Sequence, residues 1–129
     1  MGTYTQIVYQ IIFSTKFRER TLEKAGRDEL FMYMNGLLKN KKCHVYRING
    51  VEDHLHIVSG LHPSIALASL VKDLKIASSK FIKQKNLFKM FSGWQDGYAA
   101  FTYSYDAKDN LIEYVKKQEE HHKKKIISR

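Results

Sequence analysis

With 129 residues, 43% of them hydrophobic, 7 glycines and a single proline, Pro63, the chain has the make-up of one compact domain, residues 1–129. That composition excludes collagen-like, Pro-rich and disordered chains. Cys43 is the only cysteine, which rules out an intramolecular disulfide and makes the cytoplasm the expected compartment. A formal net charge of +9 points to a polyanionic partner, because clustered Lys and Arg release counterions from phosphates.

The first element is read from "YTQIVYQIIFSTKF". Ile7, Tyr9, Ile11 and Phe13 fall on one face and Val8 and Ile12 on the other, which predicts a strand covered on both sides. The same run lacks the basic leader and cleavage site of a signal peptide, and it is too short to span a bilayer, so no membrane association is expected. Thr21 is placed to cap a helix that carries Leu22, Leu30, Phe31, Met34, Leu37 and Leu38 to about Asn40. "CHVYRING" and "HLHIVSG", joined by "INGVED", predict an antiparallel hairpin.

Ser64 after Pro63 is expected to open a long amphipathic helix with Ile65, Leu67, Leu70, Val71, Leu74, Ile76 and Phe81 on its apolar face. Gly93, Trp94 and Gly97 interrupt it, and "YAAFTYSY" resumes as a strand. Trp94 and Tyr98 read as packing residues. The last helix spans "KDNLIEYVKKQEEHHKKK", capped by Asp106 or Asp109, with Leu111, Ile112 and Val115 as its apolar stripe. The order β-α-β-β-α-β-α predicts an α+β, ferredoxin-like antiparallel sheet with helices packed on it.

Strand alternation turns His54 and His56 to one face and Leu55 and Ile57 to the other. Imidazoles about 7 Å apart can share one cation if a third ligand arrives from elsewhere. They can equally be half-buried histidines satisfied by hydrogen bonds. On the last helix Tyr114 and Gln118 are four residues apart and share a face, with His121 and His122 a turn further on. A tyrosine hydroxyl can attack a phosphate, and because its ordinary pKa is about 10 it needs help from a cation.

Taken together, "DHLHI" and "YVKKQEEHH" resemble the single-tyrosine HUH transposases of small bacterial insertion sequences and their REP-associated tyrosine transposase relatives. His54-Leu55-His56 stands in the place of the HUH motif, Tyr114 in that of the nucleophile, and Gln118 four residues later. "IIFSTKFRER", "SIALASLVKDLKIASSKFI" and "WQDGYAAFTYS" extend the resemblance over nearly the whole chain.

The resemblance implies a catalytic C-terminal helix and a DNA endonuclease and strand transferase acting on single-stranded DNA. His54, His56 and Gln118 would hold a divalent ion, Mg2+ or Mn2+, against the scissile phosphate. Tyr114 would form a 5′-phosphotyrosine, and a homodimer would read hairpins at the element ends. Imidazole by itself suits zinc or copper better than hard magnesium, so the choice of ion rests on the resemblance. Lys16, Arg18, Arg20, Lys72, Lys75, Lys80 and Lys83 are the expected DNA contacts. The alternative is a binding-only module, since the RNA-recognition motif shares this arrangement. "GYAAFTYSY" resembles that module's signature strand, but Ala100 stands where the pattern has an aromatic.

Overall fold

The computed structural model describes residues 7–127, with side chains described as far as residue 117. Strands β1 (Ile7–Ser14), β2 (Val45–Gly50), β3 (His54–Ser59) and β4 (Ala99–Ser104) form one sheet in the order β2-β3-β1-β4. Each adjacent pair is antiparallel. Helices α1 (Lys24–Asn40), α2 (Leu67–Lys85) and α3 (Lys108–Ile127) complete the expected α+β, ferredoxin-like order.

The central strands β1 and β3 divide the molecule. Ile11 and Phe13 of β1 and Leu55 and Ile57 of β3 join Leu30, Met34 and Leu38 of α1 and Leu70, Leu74 and Ile82 of α2 in the main core. On the other face Val8 and Val58 meet Leu111 and Val115 of α3 in a second, smaller core. Alternation in β1 and β3 therefore puts α1 and α2 behind the sheet and α3 in front of it.

Two helix starts fall later than the sequence predicts. Thr21 does not cap α1; the capping position is Glu23. Leu22 is fully buried and its N–H donates to Glu52 O at 2.9 Å, so the chain stays extended against the turn before β3. Ser64 does not open α2, which begins at Leu67. Its hydroxyl lies 2.6 Å from His62 Nδ1, closing a local turn that competes with the helix. Within α2, Ile76 is 46% exposed, while Ser78 is buried and accepts the Trp94 indole N–H at 3.0 Å. At the start of α3, Asp106 falls in the short 3-10 turn Tyr105–Ala107, and Asp109 lies in the first helical turn, where its charge complements the helix dipole.

The segment from Gly93 to Tyr98 is held firmly although it has almost no regular structure. Trp94 packs edge-on against Phe13, with centroids 4.9 Å apart, and Gly93 and Gly97 take φ values of +126° and +83° that other residues avoid. Lys75 reaches from α2 to donate to Gln95 O at 2.8 Å and Gly97 O at 2.5 Å. Partial burial pushes its ammonium below the ordinary lysine range, and nearby Asp96 acts in the opposite direction.

Two outcomes follow from these contacts. Gly50→Ala would set a Cβ 2.7 Å from the His54 carbonyl and 3.0 Å from Leu55 Cα, with backbone on both counts. A loss of about 1–3 kcal/mol is expected in denaturant titration. Lys75→Met should free the Gln95–Gly97 turn. Loss of roughly 1 kcal/mol there would make the Gln95 amide, bonded to Ser14 O at 2.9 Å, exchange about fivefold faster in hydrogen-exchange measurements.

Candidate functional site

The paired histidines lie at the start of β3, where Ser14 and Ile12 of β1 face them in register and Asn49 of β2 faces His56. Leu55 and Ile57 point into the main core, so His54 and His56 must share the front face with α3. Both are only 7% exposed, and their rings meet edge to face with centroids 5.1 Å apart, closer than strand spacing alone requires.

Each ring is oriented through Nδ1. His54 Nδ1 lies 2.7 Å from Asp53 Oδ1, and Asp53 in turn pairs with Arg18 across 3.6 Å. His56 Nδ1 lies 3.2 Å from Gln10 Nε2, and Gln10 Oε1 accepts a hydrogen bond from the Tyr103 hydroxyl at 3.2 Å. The Asp53 carboxylate behind His54 Nδ1 is the arrangement in which an outer partner sets the orientation and basicity of a ring that would meet a metal ion through Nε2.

The two imidazoles fit part of a divalent ion's ligand set. Among the described residues no three His, Cys, Asp or Glu side chains converge as a metal-binding group. Gln118, the third ligand expected from the sequence, lies on α3 with its side chain outside the described residues, as do the side chains of His121 and His122.

Helix α3 reaches the same neighbourhood. Asn49, the cross-strand partner of His56, donates through Nδ2 to Val115 O at 3.3 Å and Lys116 O at 3.5 Å. The helix is thereby tied to the sheet beside the histidines at the level of Tyr114, whose ring is 58% exposed. Leu111 and Val115 are buried, as expected of the apolar stripe.

A cavity of about 510 Å³ opens over the pair, lined among others by Ser14, Arg18, Asp96 and Tyr98. A second groove of about 590 Å³ runs along α2, where Lys72, Lys80 and Lys83 face Trp94. Residues Gln95 to Tyr98 line both, so one turn forms the wall between them. Tyr98 is 41% exposed and is not the packing residue the sequence suggests; Trp94 is.

The other basic candidates are differently placed. Arg20 pairs with Glu52 at 2.6 Å, Arg18 with Asp53, and Lys75 serves the turn described above. Lys16 sits over the ring of Phe17, which is 74% exposed in a turn where Phe17 and Arg18 both take positive φ. Such strain in non-glycine residues beside a cleft is a recurrent mark of functional loops.

Sequence reading passed over Gln10, Asn49 and Tyr103. Gln10 interrupts an otherwise apolar strand, and that was the one available signal. Asn49 and Tyr103 acquire their roles only through strand register.

Comparison with known proteins bears on this geometry. A family model described as "Transposase IS200 like" matches residues 3–118. The ISDra2 transposase TnpA of Deinococcus radiodurans is 25% identical over 122 residues, covering 91% of this chain and 87% of that protein. Among solved structures, a REP-associated tyrosine transposase bound to a REP hairpin superposes with a TM-score of 0.68 at 12% identity, over 95% of this chain and 74% of that one. A candidate transposase from Deinococcus radiodurans R1 superposes with a TM-score of 0.67 at 21% identity, over 92% and 95%. With the match spanning both the histidine strand and the helix that bears Tyr114, the chain belongs to the IS200-like transposase family.

Proposed function

We propose that this transposase cleaves and rejoins single-stranded DNA at the ends of its insertion sequence, with Tyr114 as nucleophile and His54, His56 and Gln118 as ligands of Mg2+ or Mn2+. The observation that carries the reading is the buried, individually oriented histidine pair in a cleft next to the lysine-lined groove of α2, with the Tyr114 helix tied down beside it through Asn49.

The Tyr114 oxygen attacks the scissile phosphorus as its proton departs. The P–O3′ bond breaks, and the leaving oxygen takes up a proton to become a free 3′-hydroxyl. The product is a 5′-phosphotyrosine that keeps the energy of the broken bond, so a second 3′-hydroxyl can reverse the linkage without ATP. A bound divalent ion supplies charge neutralisation at the phosphoryl oxygens. Asp53 and Gln10 hold the two rings in place, and the near-complete burial of the pair limits water at that point.

A single strand leaving the histidines would cross the Gln95–Tyr98 wall, where Tyr98 and Phe17 offer exposed rings for base stacking. Beyond it Lys72, Lys80 and Lys83 would meet the backbone. Hairpins at the element ends are the expected DNA form, in keeping with the solved relative that holds a REP hairpin, and a homodimer is the expected assembly.

The test is incubation with labelled single-stranded oligonucleotides from the flanks of the gene, with and without Mn2+, resolved on a denaturing gel. A metal-dependent covalent adduct is expected that disappears in Tyr114→Phe. In His56→Ala it should fall by at least 100-fold while oligonucleotide binding persists. Binding with no adduct under any condition would return the chain to the non-catalytic, single-strand-binding alternative.

A further inference from the structure

The end of the sheet remote from the histidines carries a second polar cavity, which the proposed chemistry does not use. It encloses about 420 Å³ and is lined by Lys42, His44, Tyr46, His62 and Tyr105, with Ile7 and Val8 at the strand. Among the described residues that line it there is no carboxylate. Val8 and Tyr46 belong with the second core, so the cavity opens on the front face, beside the start of α3.

Its donors are set by their neighbours. The Ser64 backbone N–H donates to His62 Nδ1 at 3.2 Å, and a peptide N–H can only donate, so the neutral ring carries its hydrogen on Nε2. Burial pushes the Tyr46 hydroxyl above its ordinary pKa, Tyr105 adds to the rise and Lys108 acts against it, so the hydroxyl keeps its hydrogen. One face of each tyrosine ring is taken: Lys108 Nζ stands 4.3 Å from the Tyr105 centroid, and the His44 ring meets that of Tyr46 edge-on at 4.6 Å. What the cavity presents is an ammonium with N–H and O–H donors, the chemistry that recognises a phosphate rather than a base.

Position says which phosphate. Along β1, Ile7 at the cavity lies five residues before Ile12, the partner of His56, which is roughly 17 Å at about 3.4 Å per residue. DNA that meets both places has to cover that span, about five base pairs of duplex. A duplex is stiff on this scale, so its two contacts reinforce each other, whereas a flexible single strand loses entropy when it is held at two points.

We propose that this cavity is a second DNA site, which binds a backbone phosphate of a hairpin stem about five base pairs from the single-stranded arm at the histidines. The inference rests on the reading of hairpin DNA as substrate and adds the surface that grips the stem.

The test is fluorescence anisotropy with hairpins whose stems run from about three to ten base pairs and with a stemless oligonucleotide, for the wild type and the double variant Lys42→Asn/His62→Ala. Asparagine suits position 42 because its φ is +61°. On stems longer than about five base pairs the variant should bind roughly 5- to 10-fold more weakly, with a salt slope lower by about 1; shorter stems and the stemless strand should change by less than about twofold. Lys89→Ala, at an exposed site elsewhere, measures the loss of a charge alone, and thermal melts report on folding. In parallel, ethylation interference on the wild-type protein, which needs no variant, should pick out a stem phosphate about five base pairs from the arm.

An equal loss on the stemless strand, an equal loss from Lys89→Ala, or no interfering stem phosphate would overturn the proposal. So would inorganic phosphate that shifts the His62 imidazole resonances where the hairpin does not, the mark of a site for a free anion. Stem interference in a protein that forms no covalent adduct would remove the strand-transfer reading and leave this inference standing. Adduct formation with the same stem response in wild type and double variant would overturn this inference alone.

Discussion

The constraint on which the rest depends is that β1 and β3 are covered on both faces by cores of unequal size. Strand alternation allows no compromise: once Leu55 and Ile57 are committed to the core under α1 and α2, His54 and His56 must lie on the front. A shift of one residue would bury both imidazoles among leucines and turn the core residues towards α3. The main core therefore fixes the register that presents the histidines.

That arrangement carries a cost, because Gln10, His54 and His56 are all removed from water. The sheet answers it with partners drawn from several strands: Tyr103 on β4 for Gln10, Gln10 on β1 for His56, and Asp53 just before β3 for His54. Buried polar groups that hold one another in this way specify a single arrangement of the face. The pair comes out asymmetric, with a carboxylate behind one ring and an amide behind the other.

Much of this could be read from the sequence where a period or a motif was at stake. Both central strands, the hairpin, the amphipathic helices and the shared face of His54 and His56 follow from spacing, and the family resemblance from two separated motifs. What spacing could not reach were contacts set by tertiary register. Asn49 looks like a turn residue until it is placed opposite His56 and under α3. Lys75 looks like one more solvated lysine until the Gln95–Gly97 carbonyls are found within its reach. Thr21 and Ser64 satisfied the rules for capping but lost to competitors the sequence does not show, the Leu22 bond to Glu52 and the His62 turn.

The inequality of the two cores also bears on the helix that carries Tyr114. Helices α1 and α2 share a core of 14 buried side chains, whereas among the described residues α3 brings the buried Leu111 and Val115 and the partly buried Ile112 to the second core. Two such side chains supply roughly 3–6 kcal/mol of apolar burial, and the Asn49 bonds add about 1 kcal/mol each. Ordering the helix against the sheet offsets much of that gain. Among the described residues, then, α3 is held to the sheet by a smaller apolar contact than the one that fixes the strand bearing the histidines. Under the mechanism proposed above, a firmly fixed histidine pair beside a more lightly packed Tyr114 helix would suit a reaction that runs twice, once to cleave and once to rejoin. Between those two steps a phosphotyrosine linkage would have to receive a different DNA end, and the helix that would carry it is the one that rests on the smaller of the two cores.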